Sequence, residues 1–121
     1  LTIIETILND VKGRMLEDIV LLEVSIKERN ETVFKFIDHI KGEYDMVIYH
    51  PNDDISEIYE IKHSKSISFT GQTKNLTDKD LEISLEKFYG KISNRNILYR
   101  GLDKDVNNIK YRNVEQFLKT L

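Results

Sequence analysis

Cysteine is absent from all 121 residues, which rules out disulfides and thiolate metal sites and fits a reducing compartment. No apolar run approaches the roughly 20 residues that a bilayer span needs, and no signal peptide is visible. The expectation is a cytoplasmic domain that makes no use of a membrane. Basic residues are not in excess: 18 Lys and Arg stand against 21 Asp and Glu, for a net charge of −3. Proteins that grip nucleic acid mainly through phosphate carry a strong positive excess, which this chain lacks. Internal repeats, low-complexity tracts and linkers are also missing, so residues 1–121 read as a single domain. Nothing matches the phosphate-binding loop G-x-x-x-x-G-K-S/T, so the chain is not itself a P-loop ATPase. It opens on Leu1 rather than methionine, and a fragment of a longer protein is expected.

What is present is a globular composition, 40% hydrophobic and 32% charged. Apolar residues recur at Ile4, Ile7, Leu8, Val11, Met15, Ile19, Leu22 and Ile26. That spacing predicts one long helix with a buried stripe, with Gly13 at a kink or junction. The β-rich run Val33–Ile37 predicts a strand, and Tyr44–Tyr49 a second, more apolar one. Pro51-Asn52-Asp53-Asp54 is a turn, from which Ile55–Ile61 returns as a third strand. A Ser/Thr/Gly loop follows. Thr77 and Asp80 predict the start of a helix by capping-box-like chemistry, with Leu81, Leu85 and Phe88 on its inner face and Gly90 at its end. Asn96–Tyr99 predicts a fourth strand, closed by Arg100-Gly101. Asn113 caps a last helix whose face carries Val114, Phe117, Leu118 and Leu121. The order α-β-β-β-α-β-α is that of a mixed α/β domain, a small sheet of about four strands between helices.

The hairpin allows side chains to be placed. A turn centred between Asn52 and Asp53 sets Asp45 opposite Glu60, with Cβ atoms about 4.5–5.5 Å apart. Strand alternation then puts Lys62 on the face of Glu60, and Tyr59 and Ile61 on the other. Two carboxylates and an ammonium converge. Carboxylate oxygens suit Mg²⁺ or Mn²⁺, and such an ion polarises a phosphodiester and acidifies a bound water. Lys62 could orient that water or stabilise the developing negative charge. The plainer alternative is an Asp–Lys–Glu cluster on a solvated strand, forming a modest salt bridge.

Gly42-Glu43-Tyr44-Asp45, followed after a hairpin by Glu60-Ile61-Lys62, resembles the core of the PD-(D/E)xK nuclease superfamily. Tyr44 stands where the superfamily name has proline. The resemblance implies a restriction-endonuclease-like core, a mixed sheet flanked by helices. Gly13-Arg14-Met15-Leu16-Glu17 resembles the upstream helical acidic element of many members, which implies that Glu17 is a further metal ligand or water-orienting carboxylate. Glu57-Ile58-Tyr59-Glu60-Ile61-Lys62-His63-Ser64, with Leu98-Tyr99-Arg100-Gly101 downstream, is similar to the C-terminal domain of a bacterial and archaeal group of AAA-type ATPases. That similarity spans about Gly13 to Leu121. It implies catalytic Lys62, Glu17, Asp45 and Glu60, with Asp45, Glu60 and Glu17 on Mg²⁺ or Mn²⁺. DNA is the implied substrate, and an N-terminal ATPase domain of the same polypeptide the implied partner.

Glu17 and Gly13 share a helix face, and Glu17 is expected to aim at the Asp45–Glu60 patch. Other residues compete less well. His39, His50 and His63 lack a metal-ligand spacing and read as surface or boundary histidines. Gln72 lies in the Ser/Thr/Gly loop, a poor match to the helical glutamine of some related nucleases. The tyrosines at 44, 49, 59, 89, 99 and 111 could stack on bases, but in such elements they more often pack the core. Lys62, Lys65 and Lys74, and Lys104, Lys110 and Arg112, form local basic clusters that read first as solvated faces. Two functions follow: a metal-dependent deoxyribonuclease domain beside an ATPase, or a catalytically weak or inactive nuclease fold kept for protein interaction or regulation. Retention of all four site residues favours the first, and the acidic balance favours the second.

Overall fold

The computed structural model describes residue 6, residues 14–66 and residues 73–121. The expected helical turns from Ile4 to Gly13, and Gln72, lie outside the described residues. Helix α1 spans Arg14–Lys27. Its buried stripe is Leu16, Val20 and Val24, while Met15, Leu22 and Ile26 are exposed. This corrects the expected stripe at Met15, Leu22 and Ile26, while Ile19 packs against the core as expected. α1 is apolar on more than one side, so periodicity finds the helix but leaves its rotation to the sheet it packs on.

Strands β1 (Thr32–Asp38), β2 (Gly42–His50) and β3 (Ile55–Ile61) form an antiparallel meander. A 3₁₀ turn at Asn75–Thr77 precedes helix α2, Lys79–Tyr89. The cap of α2 is Asp78 rather than Thr77: its carboxylate accepts from the amides of Asp80 and Leu81. Leu81 and Leu85 are fully buried, but Phe88 is exposed and Tyr89 takes the inward place, its ring against Phe34, Phe36 and Tyr49. Gly90 ends the helix at φ 67°. Strand β4 begins at once and runs Lys91–Tyr99, parallel to β3.

The sheet has six strands, not four, in the order β1-β2-β3-β4-β6-β5. The two extra strands are β5 (Lys104–Val106) and β6 (Ile109–Asn113), joined through Asn107 and Asn108, both at positive φ. Asparagine tolerates that conformation and supports a two-residue hairpin. β6 runs parallel to β4, and β5 antiparallel to β6. The expected basic cluster is therefore strand surface: Arg112 pairs with Asp105 at 2.7 Å, and Lys104 lies over the Tyr111 ring. Asn113 caps helix α3, Val114–Lys119, by accepting the amide of Gln116.

Helices cover both faces. On one, Leu16, Val20 and Val24 of α1 and Val114 of α3 pack on Met46, Ile48, Tyr59, Ile61 and Leu98. On the other, Leu76, Leu81 and Leu85 pack on Tyr44, Val47, Ile58, Ile97 and Tyr111. Each fully buried aliphatic side chain contributes about 1.5–3 kcal/mol. Among the described residues, no helix is long and apolar enough to cross a membrane.

Candidate functional site

Tyr44 and Val47 lie in the same core layer although they are three positions apart. Strict alternation would put them on opposite faces. A β-bulge reconciles the two. Phe34 pairs with Val47 and Phe36 with Tyr44, so Lys35 alone faces Asp45 and Met46. Bulges bend a strand and re-aim one side chain, here that of Asp45.

The expected β2–β3 register runs from His50↔Ile55 to Met46↔Tyr59 and stops one residue short of Asp45. There the Asp45 carboxylate takes over: Oδ2 accepts the Ile61 backbone N–H at 2.8 Å. Asp45 and Glu60 are each only 4% exposed, and the charge of Asp45 acts on the Glu60 carboxyl. Tyr59 and Ile61 join the α1–α3 layer, so Glu60 alternates away from it. Lys62 Nζ lies 3.5 Å from Glu60 Oε2. Glu60 Oε1 is wholly buried and, among the described residues, accepts no hydrogen bond.

Burial raises the Asp45 carboxyl above its ordinary range, against the opposing pull of the Ile61 N–H and of Lys62. Glu60 is pushed up to about 8, by burial first and then by the Asp45 charge. When both ionise in a dry place they repel, and a shared proton or a cation relieves the repulsion.

Glu17 does not join this pair directly. Its Oε2 lies 3.4 Å from Lys35 Nζ, and Lys35 is also 3.6 Å from Glu43 Oε1. Glu17 is raised by burial and by the charge of Asp45, so the two carboxylates feel one another across Lys35. Burial works against the Lys35 charge, but Glu17 and Glu43 outweigh it and the lysine is raised. Among the described residues, no three acidic or histidine side chains stand close enough together to enclose a metal ion. Asp45 and Glu60 still fit one: two carboxylates with an orphan buried oxygen match an ion that keeps several waters.

Lys35 and Glu43 were not singled out from the sequence. The usable signal for Lys35 is a lone charge between Phe34 and Phe36 in an otherwise apolar strand. Of the histidines, His39 is exposed and His50 is half-buried between Glu31 and Glu57. Tyr44, Tyr59, Tyr99 and Tyr111 are core residues, so base stacking is not their role. No protein-family model matches the chain, and no curated protein matches it either.

Proposed function

We propose that the chain is a metal-dependent nuclease-like domain with a restriction-endonuclease-like core, hydrolysing DNA phosphodiester bonds as the C-terminal part of an AAA-type ATPase. The observation that carries this reading is the buried Asp45–Glu60 pair, with Glu60 Oε1 lacking a donor among the described residues and Lys62 3.5 Å from the other oxygen. Burying two carboxylates together is costly without a compensating charge, and the expense is understandable where a cation is to be bound. Asp45 and Glu60 would hold Mg²⁺ or Mn²⁺, which supplies Lewis acidity and a bound water of lowered pKa.

The rest is the work of the chain itself. The Ile61 N–H fixes the Asp45 carboxylate, so its position does not depend on side-chain freedom. Lys62, one-third exposed, presents its ammonium to the outside, where it can meet a phosphate oxygen and stabilise charge in the transition state. Glu17, held by Lys35, acts as a nearby negative charge rather than as a direct ligand. A second reading, a nuclease fold kept for protein interaction, is favoured by that pairing, because it leaves only two carboxylates for an ion.

Calorimetric titration with Mn²⁺, together with plasmid nicking in Mg²⁺ or Mn²⁺, tests the proposal. Binding and nicking are expected, with Lys62→Ala binding the ion but not cutting. Binding without cleavage moves the conclusion to the second reading. Absence of both overturns the metal centre.

A further inference from the structure

We propose that the cleft beside α3, over β4 and β6, is a second ligand site that takes a nucleoside monophosphate. It is separate from the Asp45–Glu60 pair and does not rest on a metal centre there. Its first support is the composition of β4. A central strand with a parallel neighbour on each side is ordinarily an apolar run, and Ile97-Leu98-Tyr99 conforms, fully or nearly fully buried. Ser93-Asn94-Arg95-Asn96, in the same strand, does not. Asparagine is a poor strand former, yet Asn96 is buried in mid-sheet, 5% exposed. Local rules are broken in this way where a site is kept.

The second support is the cleft itself. Tyr59, Asn96 and Lys110 are paired across β3, β4 and β6, on the face that α3 covers. α3 has only six residues, about 9 Å, and seats Val114 in the layer that contains Leu98. Beside it lies a cleft of about 340 Å³, with Asn96 in its floor and Gln116 and Phe117 in its wall. That volume is at the small end of the range for ligand sites, about 300–1,000 Å³. The Phe117 ring is held against Tyr59, centroids 5.9 Å apart, so the wall stands before any ligand arrives.

The third support is what the lining has left to offer. Both amide hydrogens of Asn96 are committed, one to the Ile58 carbonyl at 3.1 Å and one to Asn94 Oδ1. Among the described residues nothing donates to Asn96 Oδ1, so the floor presents an acceptor. Lys110 is exposed at the mouth and forms no ion pair among the described residues. Asp105, opposite it on β5, is taken by Arg112 at 2.7 Å. The lining thus holds two cations, Lys110 and Arg112, against one carboxylate, Asp103, in a chain of net charge −3. Asp103 accepts the Asn113 N–H at 2.7 Å and can also accept a hydroxyl. A nucleoside monophosphate answers every one of these groups. Its base brings N–H donors for Asn96 and a flat face for Phe117. Its sugar brings hydroxyls for Asp103, and its phosphate an anion for Lys110.

The test is a nuclear magnetic resonance titration of the isotope-labelled 121-residue chain in chelator, so that no bound metal takes part. The probes are the four ribonucleoside 5′-monophosphates, then the nucleoside of the best binder and ribose 5-phosphate. At least one monophosphate is expected to shift the side-chain amides of Asn96 and Gln116 and the backbone of Phe117, saturably. Its nucleoside, which lacks the anion, and ribose 5-phosphate, which lacks the base, should each bind more weakly by about tenfold or more. Lys110→Gln, at an exposed position, should weaken the monophosphate by about tenfold and leave the nucleoside unchanged. No shift with any of the four, or shifts centred on Lys62 or Lys74 instead of the cleft, overturns the proposal. So does ribose 5-phosphate or the nucleoside binding as tightly as the monophosphate, or Lys110→Gln binding it as wild type does. None of these outcomes touches the metal centre, whose own test is the Mn²⁺ titration.

Discussion

The Asp45 carboxylate accepts the backbone N–H of Ile61 at 2.8 Å, where the β2–β3 ladder has just ended. A side chain thus takes over the pairing where the β2–β3 ladder stops at Met46↔Tyr59. The same oxygen group ties the bend of β2 to β3 and carries the charge that Glu60 feels.

Substitutions at Asp45 separate these two duties. Asp45→Asn keeps an oxygen for the Ile61 N–H and removes the charge, so stability is expected to change by less than about 1 kcal/mol. Mn²⁺ binding should be lost. Asp45→Ala leaves a buried N–H without a partner and should cost about 1–3 kcal/mol in urea unfolding. Equal destabilisation by both variants would show that the hydrogen bond is not what Asp45 supplies.

Much of this fold was legible before any coordinates. The turn at Pro51–Asp54 sets the hairpin register, because a single turn centre fixes every pair from His50↔Ile55 to Met46↔Tyr59. Asn113 and Gly90 mark helix ends through their own backbone chemistry. What was not legible depends on neighbours distant in sequence. The bulge at Asp45–Met46 appears only when β1 pairs with β2. The β5–β6 hairpin was hidden because its alternating charges read as a solvated basic patch, although Asn107-Asn108 is itself a turn signal. Glu17 was expected to aim at the Asp45–Glu60 patch; it pairs with Lys35 of the next element, β1, and no spacing rule names that partner across the turn between helix and strand.

Gly90 can be tested through sterics alone. It sits at φ 67°, and a Cβ added there would come within 1.9 Å of the Asp54 carbonyl oxygen. That oxygen is backbone, in the tight turn of the hairpin, and cannot step aside cheaply. Gly90→Ala is expected to cost more than about 2 kcal/mol, combining positive-φ strain with the clash. Thermal unfolding checks it, and a change under 0.5 kcal/mol would mean that the turn yields freely.

At the far end of β2 from Asp45, His50 is clasped by two carboxylates. Its Nε2 lies 2.7 Å from Glu57 Oε2, and its Nδ1 contacts Glu31. Burial opposes the imidazolium, but Glu57 and Glu31 prevail and raise its pKa. A raised histidine contributes stability that is full below its unfolded value of about 6.5 and fades as pH rises through the folded value. Wild type should therefore exceed His50→Gln most at pH 6, by about 1 kcal/mol or less given solvent screening, and least at pH 9. A gap that widens with rising pH would contradict the clasp.

Glu60 has the same sign of pH slope as His50, because its folded pKa is raised too, but here it is the neutral form that the fold favours. Its folded pKa, raised to about 8 from 4.5, means that the native state holds a proton the unfolded chain has already released. Below pH 4.5 both states are protonated and the group costs nothing. Between pH 4.5 and 8 the unfolded chain ionises first, so stability falls, and above pH 8 the full cost is present. Glu60→Gln removes the titration while keeping the shape. In chelator it should match wild type near pH 4 and exceed it near pH 9 by on the order of a few kcal/mol. Saturating Mn²⁺ should reverse that order, because wild type gains the ion's binding energy and the variant loses a ligand. A site that destabilises the metal-free protein and is rewarded only when loaded is kept for binding. Parallel pH profiles for wild type and Glu60→Gln, unmoved by Mn²⁺, would show that Glu60 is a buried structural group and no part of a metal centre.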